Sequence, residues 1–188
     1  MIKPLLWSIV MITLVSCKKE KIPNDVIQAP PALISSFSRT FFYSADNSSV
    51  MKTYSLADIN STAKIADNKS LVIDFDTSYP NGNDNATLII PEINIKPGYI
   101  GEYLIPLNST ETKVFYQYKL TSTSSNKLLP SAASGTLKIT GYDSRFKTIK
   151  GEFIFTITTI SDPVSAAINN FRQTTIMAGG SFENLVIK

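Results

Sequence analysis

Two carboxylates, Asp74 and Asp76, stand two residues apart in Leu71-Val72-Ile73-Asp74-Phe75-Asp76. An extended chain sends residues i and i+2 to the same side, so both acids share one strand face. Paired carboxyls about 5–10 Å apart are what acid/base hydrolysis of a glycosidic bond requires. The plainer reading is a half-buried strand with Leu71, Ile73 and Phe75 on its dry face and the two acids on its wet one. Asn81-Gly82-Asn83-Asp84-Asn85 gathers oxygen ligands of the kind a hard cation accepts. Its lone glycine precedes the aspartate and no glutamate closes it, so it does not match the twelve-residue calcium loop. It reads as a chain reversal rich in residues that tolerate left-handed backbone angles, and no metal is expected.

Tyrosines offer a different chemistry. Tyr116 pairs with Tyr118, and Tyr99 with Tyr103, at the two-residue spacing that aligns rings on one strand face. Such rings can stack on sugars or line a small cavity while their hydroxyls form hydrogen bonds. They alternate with polar residues, which equally places them inward as core or core rim. Ser134-Gly135 and Ser181 lie in turn contexts with no lysine at a telling distance for Ser/Lys catalysis. Asn-x-Ser/Thr triplets at Asn47, Asn60, Asn68, Asn85 and Asn108 mark a surface rich in small polar residues.

What the chain lacks narrows the field further. It has no histidine, one cysteine (Cys17) and one tryptophan (Trp7). The usual general base near neutral pH, the nitrogen and sulfur metal ligands and an internal disulfide are therefore missing, and no cofactor is expected. The formal net charge of +3 resides at the start, in Lys3 and in Lys18, Lys19 and Lys21 around Glu20. From Ile22 onward acidic and basic residues balance, which leaves no electrostatic footprint for nucleic acid. The lysine cluster suits anionic lipid headgroups, at about 1 kcal/mol per residue.

The elements that must carry these residues are short alternating runs broken by Asn, Gly, Ser and Pro, the texture of an antiparallel β protein. The pattern predicts strands over 37–43, 49–56, 70–76, 86–95, 99–107, 112–122, 134–142, 148–160 and 181–187. Val114, Tyr116, Tyr118 and Leu120 oppose Lys113, Gln117 and Lys119, with Phe115 the single violation. Ile149, Phe153, Phe155 and Ile157 oppose Lys150, Glu152, Thr156 and Thr158, and Gly151 on the apolar side predicts a bulge. Asp143-Ser144-Arg145 then turns a hairpin over 134–160. Pro91 predicts an edge strand or bulge, since it removes a ladder donor. Asp162 as cap, Pro163 in the first turn and the stripe Val164, Ala167, Ile168, Phe171 predict one short helix over 162–172. The expected fold is all-β: one antiparallel sandwich or flattened barrel of eight or nine strands.

The first residues read as a targeting segment. Lys3 precedes an apolar stretch from Leu5 to Val15, about 11 residues, too short to span a bilayer core of about 30 Å as a helix. Leu14-Val15-Ser16-Cys17 resembles the lipobox of bacterial lipoproteins. The resemblance implies cleavage after Ser16 and acylation of Cys17, which becomes the first mature residue. Residues 1–16 then form the signal helix, 17–36 a lipidated tether with Pro23, Pro30 and Pro31, and 37–188 the β domain. The tether's alternative is Val26 to Ile34 docked as an edge strand.

The C-terminal half, from Ser134-Gly135-Thr136 to Gly180-Ser181-Phe182, is similar to a family of lipoproteins and secreted domains common in Bacteroidota and lacking an assigned activity. The shared pattern falls on Gly135, Thr136, Ile139, Thr140, Asp143, Ile149, Gly151, Phe153, Phe155, Gly180 and Phe182, and the chain departs from it around 161–175. These are turn and core positions, so the resemblance implies a small all-β domain and no activity.

Three function classes follow. The first is a lipid-anchored envelope lipoprotein with a non-catalytic binding or structural body, held to the membrane by its acyl chains and meeting an envelope protein or glycan. The second is a carbohydrate- or small-apolar-ligand-binding module using Tyr99, Tyr103, Tyr116 and Tyr118; the third is a hydrolase using Asp74 and Asp76. Lys18 does not resemble the aspartate signal for inner-membrane retention, so the outer membrane is expected, with either face open.

Overall fold

The computed structural model describes residues 28–78, 82–106, 111–121, 124–128, 133–163 and 172–188. Residues 1–27, which hold Leu14, Val15, Ser16 and Cys17, lie outside that set. So does 164–171, most of the segment expected to be helical. Asp162 and Pro163 follow a strand and are buried, without helical backbone.

Side-chain alternation converts directly into sheet here. Each run that repeats every second residue buries its apolar face against a second sheet, and among the described residues eleven strands result. They are β1 (Ile34–Tyr43), β2 (Ser48–Tyr54), β3 (Ile59–Ile65), β4 (Leu71–Thr77), β5 (Asn83–Ile90), β6 (Gly101–Ile105), β7 (Lys113–Thr121), β8 (Ser124–Leu128), β9 (Ala133–Asp143), β10 (Thr148–Ser161) and β11 (Gln173–Val186). A six-stranded sheet runs β2-β1-β11-β10-β9-β6, and a five-stranded sheet runs β3-β4-β5-β7-β8. All strand pairs are antiparallel. The two sheets keep separate edges, so the fold is a sandwich and not a barrel.

Eleven strands exceed the eight or nine expected. β3 and β8 carry few apolar residues, and β11 begins at Gln173 instead of residue 181 because Thr174, Ile176 and Ala178 already face inward. β1 also starts earlier than residue 37, at Ile34, so three residues assigned to the tether are strand. It lies between β2 and β11, not at an edge. The Pro91 expectation is corrected as well. β5 is an interior strand that ends at Ile90, and Pro91 opens a connection with two short 3-10 turns, Glu92–Asn94 and Pro97–Tyr99.

The hairpin of β9 and β10 forms as its pattern dictates. Asp143 Oδ1 accepts the backbone N–H of Arg145 at 2.8 Å, and Lys147 takes a positive φ of 54° to complete the reversal. At Gly151 the register of β10 slips against both neighbours. A Cβ there would collide with the Lys138 carbonyl oxygen and lie 2.7 Å from the Phe182 ring, so only glycine admits the bulge.

Aromatic rings fill the space between the sheets. Phe75 and Phe153 meet at 4.6 Å, with Phe37, Phe155 and Phe182 about them, all five buried. Rings this large bury roughly 150–250 Å² each, so these residues dominate the core. The C-terminus closes one edge: Ile187 bridges to Ala63 in parallel, and Lys188 exchanges backbone hydrogen bonds with Ala63 and Ile65 at 3.0 and 3.1 Å. That covers part of β3, whose bare backbone would otherwise invite pairing with another chain. Among the described residues no helix is long and apolar enough to cross a membrane.

Candidate functional site

The most unusual chemistry in the molecule is a charge inside the sandwich. Asp84 is the second residue of β5 and shares its inward face with Ala86, Leu88 and Ile90, all fully buried. Asp84 itself is 0% exposed. The expected reversal is thus a strand from Asn83 onward, and its aspartate turns into the core instead of toward solvent. Gly82, at φ +144°, makes the entry possible, since a Cβ there would overlap the Tyr118 hydroxyl.

Both sheets supply the partners. From the six-stranded sheet, Arg39 Nε on β1 reaches Asp84 Oδ2 at 3.2 Å, and the Tyr54 hydroxyl on β2 donates to the same oxygen. From the five-stranded sheet, the Tyr116 hydroxyl on β7 donates to Oδ1. The Asp84 N–H donates to Thr77 Oγ1 at 2.7 Å, and that hydroxyl donates to the Asp84 carbonyl at 2.9 Å. Arg39 also donates from Nη1 to the Val50 carbonyl at 3.2 Å and lies 3.9 Å over the Phe41 ring. Donors thus occupy both carboxylate oxygens and all the main groups of the cluster have partners, as buried charge requires.

Electrostatics follow from burial. Desolvation pushes the Asp84 carboxyl above its ordinary value, opposed by Arg39 and the phenol hydrogen bonds. Desolvation also raises Tyr116 and Tyr54, reinforced by the charge of Asp84, so both phenols keep the protons they donate. Burial works most strongly against the Arg39 charge, but Asp84 together with Tyr116, Tyr54 and Tyr118 outweighs it and the guanidinium pKa is raised. With both carboxylate oxygens engaged and no exposure, Asp84 is poorly placed to meet a substrate. Its arrangement clamps β1 and β2 to β5 and β7.

A second polar chain sits at the β1–β2 end. Tyr43 donates to Asp162 Oδ1 at 3.3 Å, and Arg172 stacks 3.5 Å from the Tyr43 ring centre while reaching Asp46 at 2.5 Å and Ser48 Oγ at 3.1 Å. It fastens the end of β10 and the start of β11 to the β1–β2 turn. Burial, then the charge of Asp162, pushes the Tyr43 hydroxyl up to about 12.

The residues singled out from sequence are dispersed by the fold. Tyr116 and Tyr118 are buried on β7. Tyr103 is buried on β6 and donates to the Tyr99 carbonyl at 2.6 Å while accepting the Lys96 N–H at 3.2 Å. Tyr99 does not share its strand face. It precedes β6 in a turn with φ +64° and packs edge-on against Tyr142 at 5.1 Å. Asp74 and Asp76 stand on the outer face of β4, where Asp74 Oδ1 accepts the Thr87 hydroxyl at 2.5 Å and Asp76 is exposed. Ser181 Oγ meets Ser36 Oγ at 2.8 Å. Among the described residues no group of three or more Asp, Glu, His or Cys could hold a metal ion.

Sequence reasoning placed Asp84 in a reversal and passed over Arg39, although both carry a signal. Arg39 is in phase with Phe37, Phe41 and Tyr43, and Asp84 with three apolar residues. A charged residue on the dry face of a strand marks a buried pair.

Outside the core, the outer faces of β5 and β7 form a groove of about 290 Å³ lined by Asn85, Thr87, Ile89, Phe115, Tyr116 and Gln117. Phe115, the residue that broke the alternation of β7, belongs to this outer face. Comparison with protein-family models, characterised proteins and solved structures gives no match to this chain.

Proposed function

We propose that this protein is a lipid-anchored lipoprotein of the bacterial envelope whose β-sandwich is a non-catalytic binding or structural body. The observation that carries the reading is Leu14-Val15-Ser16-Cys17 at the end of a short apolar stretch behind Lys3. A cysteine so placed is the acceptor for acyl chains, and two or more chains hold a protein stably where one would be marginal. The lysines that follow suit anionic headgroups, and Pro23, Pro30 and Pro31 make the following segment a semi-rigid spacer. Lys18, in place of the aspartate that signals inner-membrane retention, favours the outer membrane.

The sealed character of the Asp84 cluster supports a body whose buried charges serve the fold. Mass spectrometry of the mature N-terminus tests the anchor. The expected product begins at Cys17 with added acyl mass and partitions into detergent, and Cys17→Ser abolishes both. A mature protein with an unmodified Cys17 thiol, or one that keeps residues 1–16 in the cytosol, overturns the proposal.

A further inference from the structure

The groove on the outer face of the five-stranded sheet has the composition of a recognition surface. Cross-strand register places Asn85 opposite Gln117 and Thr87 opposite Phe115. Two planar amides therefore lie side by side, next to a hydroxyl and a part-exposed aromatic ring, with Ile89 continuing the apolar flank. Asp74 on the neighbouring strand holds the Thr87 hydroxyl at 2.5 Å, which also lies 3.4 Å from Asn85 Oδ1. The Thr87 hydroxyl is thus held by Asp74 before any ligand arrives.

Three observations decide what such a groove accepts. Its lining carries no charge; register sets Asp74 and Asp76 beside it on β4, and Lys113, Lys119 and Lys127 on the β7 and β8 side, opposite Ile89, Asn83 and Gln117, so charges of both signs border it. That balance matches a neutral ligand better than a phosphate or a uronate. The amides each offer paired donors and an acceptor, which suits a ligand whose groups both donate and accept, as vicinal hydroxyls do. Finally, β5 is hydrogen-bonded on both sides by β4 and β7, and β7 by β5 and β8. No free strand edge borders the groove, so a peptide cannot bind there by strand addition; the side chains must do the reading.

We infer that this groove is a binding site for a neutral saccharide chain, with Asn85 and Gln117 hydrogen-bonding ring hydroxyls and Phe115 packing against the sugar's C–H face. The volume is at the small end of ligand sites, enough for a short stretch of chain. An open groove of this size predicts a dissociation constant on the order of 0.1–1 mM. The inference deepens the binding half of the proposed function and rests on it only for delivery to the envelope, so failure here leaves the Cys17 mass measurement standing.

The test is an amide NMR titration of the full chain carrying Cys17→Ser, with cellohexaose, xylohexaose, mannohexaose, laminarihexaose and chitohexaose as probes and a polygalacturonate oligomer as the anionic comparison. At least one neutral probe is expected to give saturable shifts centred on Asn85, Thr87, Phe115 and Gln117. Gln117→Ala or Asn85→Ala, both polar outer-face changes, should weaken it by about tenfold each, with unchanged melting temperature. The wild-type map locates the site even where a Phe115→Ala variant folds poorly. No saturable shift with any neutral probe, shifts centred away from these residues, or equal binding of the anionic oligomer overturns the inference.

Discussion

Replacing Arg39 by methionine isolates the buried ion pair. Methionine keeps an unbranched stem against Phe41 and Tyr118 but removes the guanidinium that faces Asp84 at 3.2 Å. Removing one partner of a buried pair costs about 3–5 kcal/mol, because the other charge is left behind. Two phenol donors stay on the carboxylate, so the low end, about 3 kcal/mol, is expected. The Val50 carbonyl that Arg39 also holds sits on a residue 50% exposed, and water can replace that bond. For a domain of this size each kcal/mol moves the melting temperature by about 2–4 °C, which gives a fall of about 6–12 °C.

The pH dependence has a definite sign. Burial already raises the Asp84 carboxyl above its unfolded value, and Arg39 opposes that rise. Without Arg39 it rises further. A carboxyl raised in the folded state contributes stability that is full below its unfolded pKa of about 4 and is lost as pH climbs through the folded value. The Arg39→Met deficit should therefore be large near pH 7.5 and shrink toward about pH 4.5. Urea denaturation of wild type, Arg39→Met, Asp84→Asn and the double variant measures it, with the double variant losing well under the sum of the singles. A loss below about 1 kcal/mol at neutral pH, the range of exposed pairs, or the same deficit at both pH values, would refute the clamp.

Two further outcomes follow from the packing. Gly151→Ala should cost about 2–3 kcal/mol by overpacking the bulge, whereas Gly141→Ala, whose Cβ would find its nearest neighbour at 3.8 Å, should be neutral or slightly stabilising; thermal melts of the two separate a steric bulge from general glycine effects. Tyr43, Tyr54, Tyr103, Tyr116 and Tyr118 all have raised hydroxyl pKa values, chiefly through desolvation. Their contribution is complete below the unfolded phenol pKa of about 10 and is lost above it. Melting temperature should drop steeply beyond that pH, with phenolate absorbance from these rings appearing together with unfolding. Smooth titration of all eight tyrosines in a still-folded chain would contradict their burial.

The hairpin of β9 and β10 was legible from sequence because alternation, turn residues and the bulge glycine agree at every level. β3 was not, since Ser61 occupies an inward position that hydropathy assigns to the surface. The first half of β11 hides for a related reason. Thr174 and Ala178 carry its inward face weakly, and Gly179-Gly180 resembles a turn. Asp84 was misread through its neighbours: Asn81-Gly82-Asn83 reads as a reversal, and only the phase of Ala86 and Leu88 reveals the strand. Local composition cannot report a partner 45 residues away, and Arg39 is that partner. The groove was invisible for the opposite reason, since Phe115 looked like an error in a pattern instead of the start of a second face.

β11 lies between β1 and β10, so the wider sheet is split in two until β11 is in place. β1 must wait for β11 to complete its pairing, over a separation of 132 residues between Phe42 and Thr174. Such distant pairing makes folding slow. For a chain exported as proposed above, delay is useful: the wider sheet stays open until β11 has crossed the membrane and can join β1 to β10.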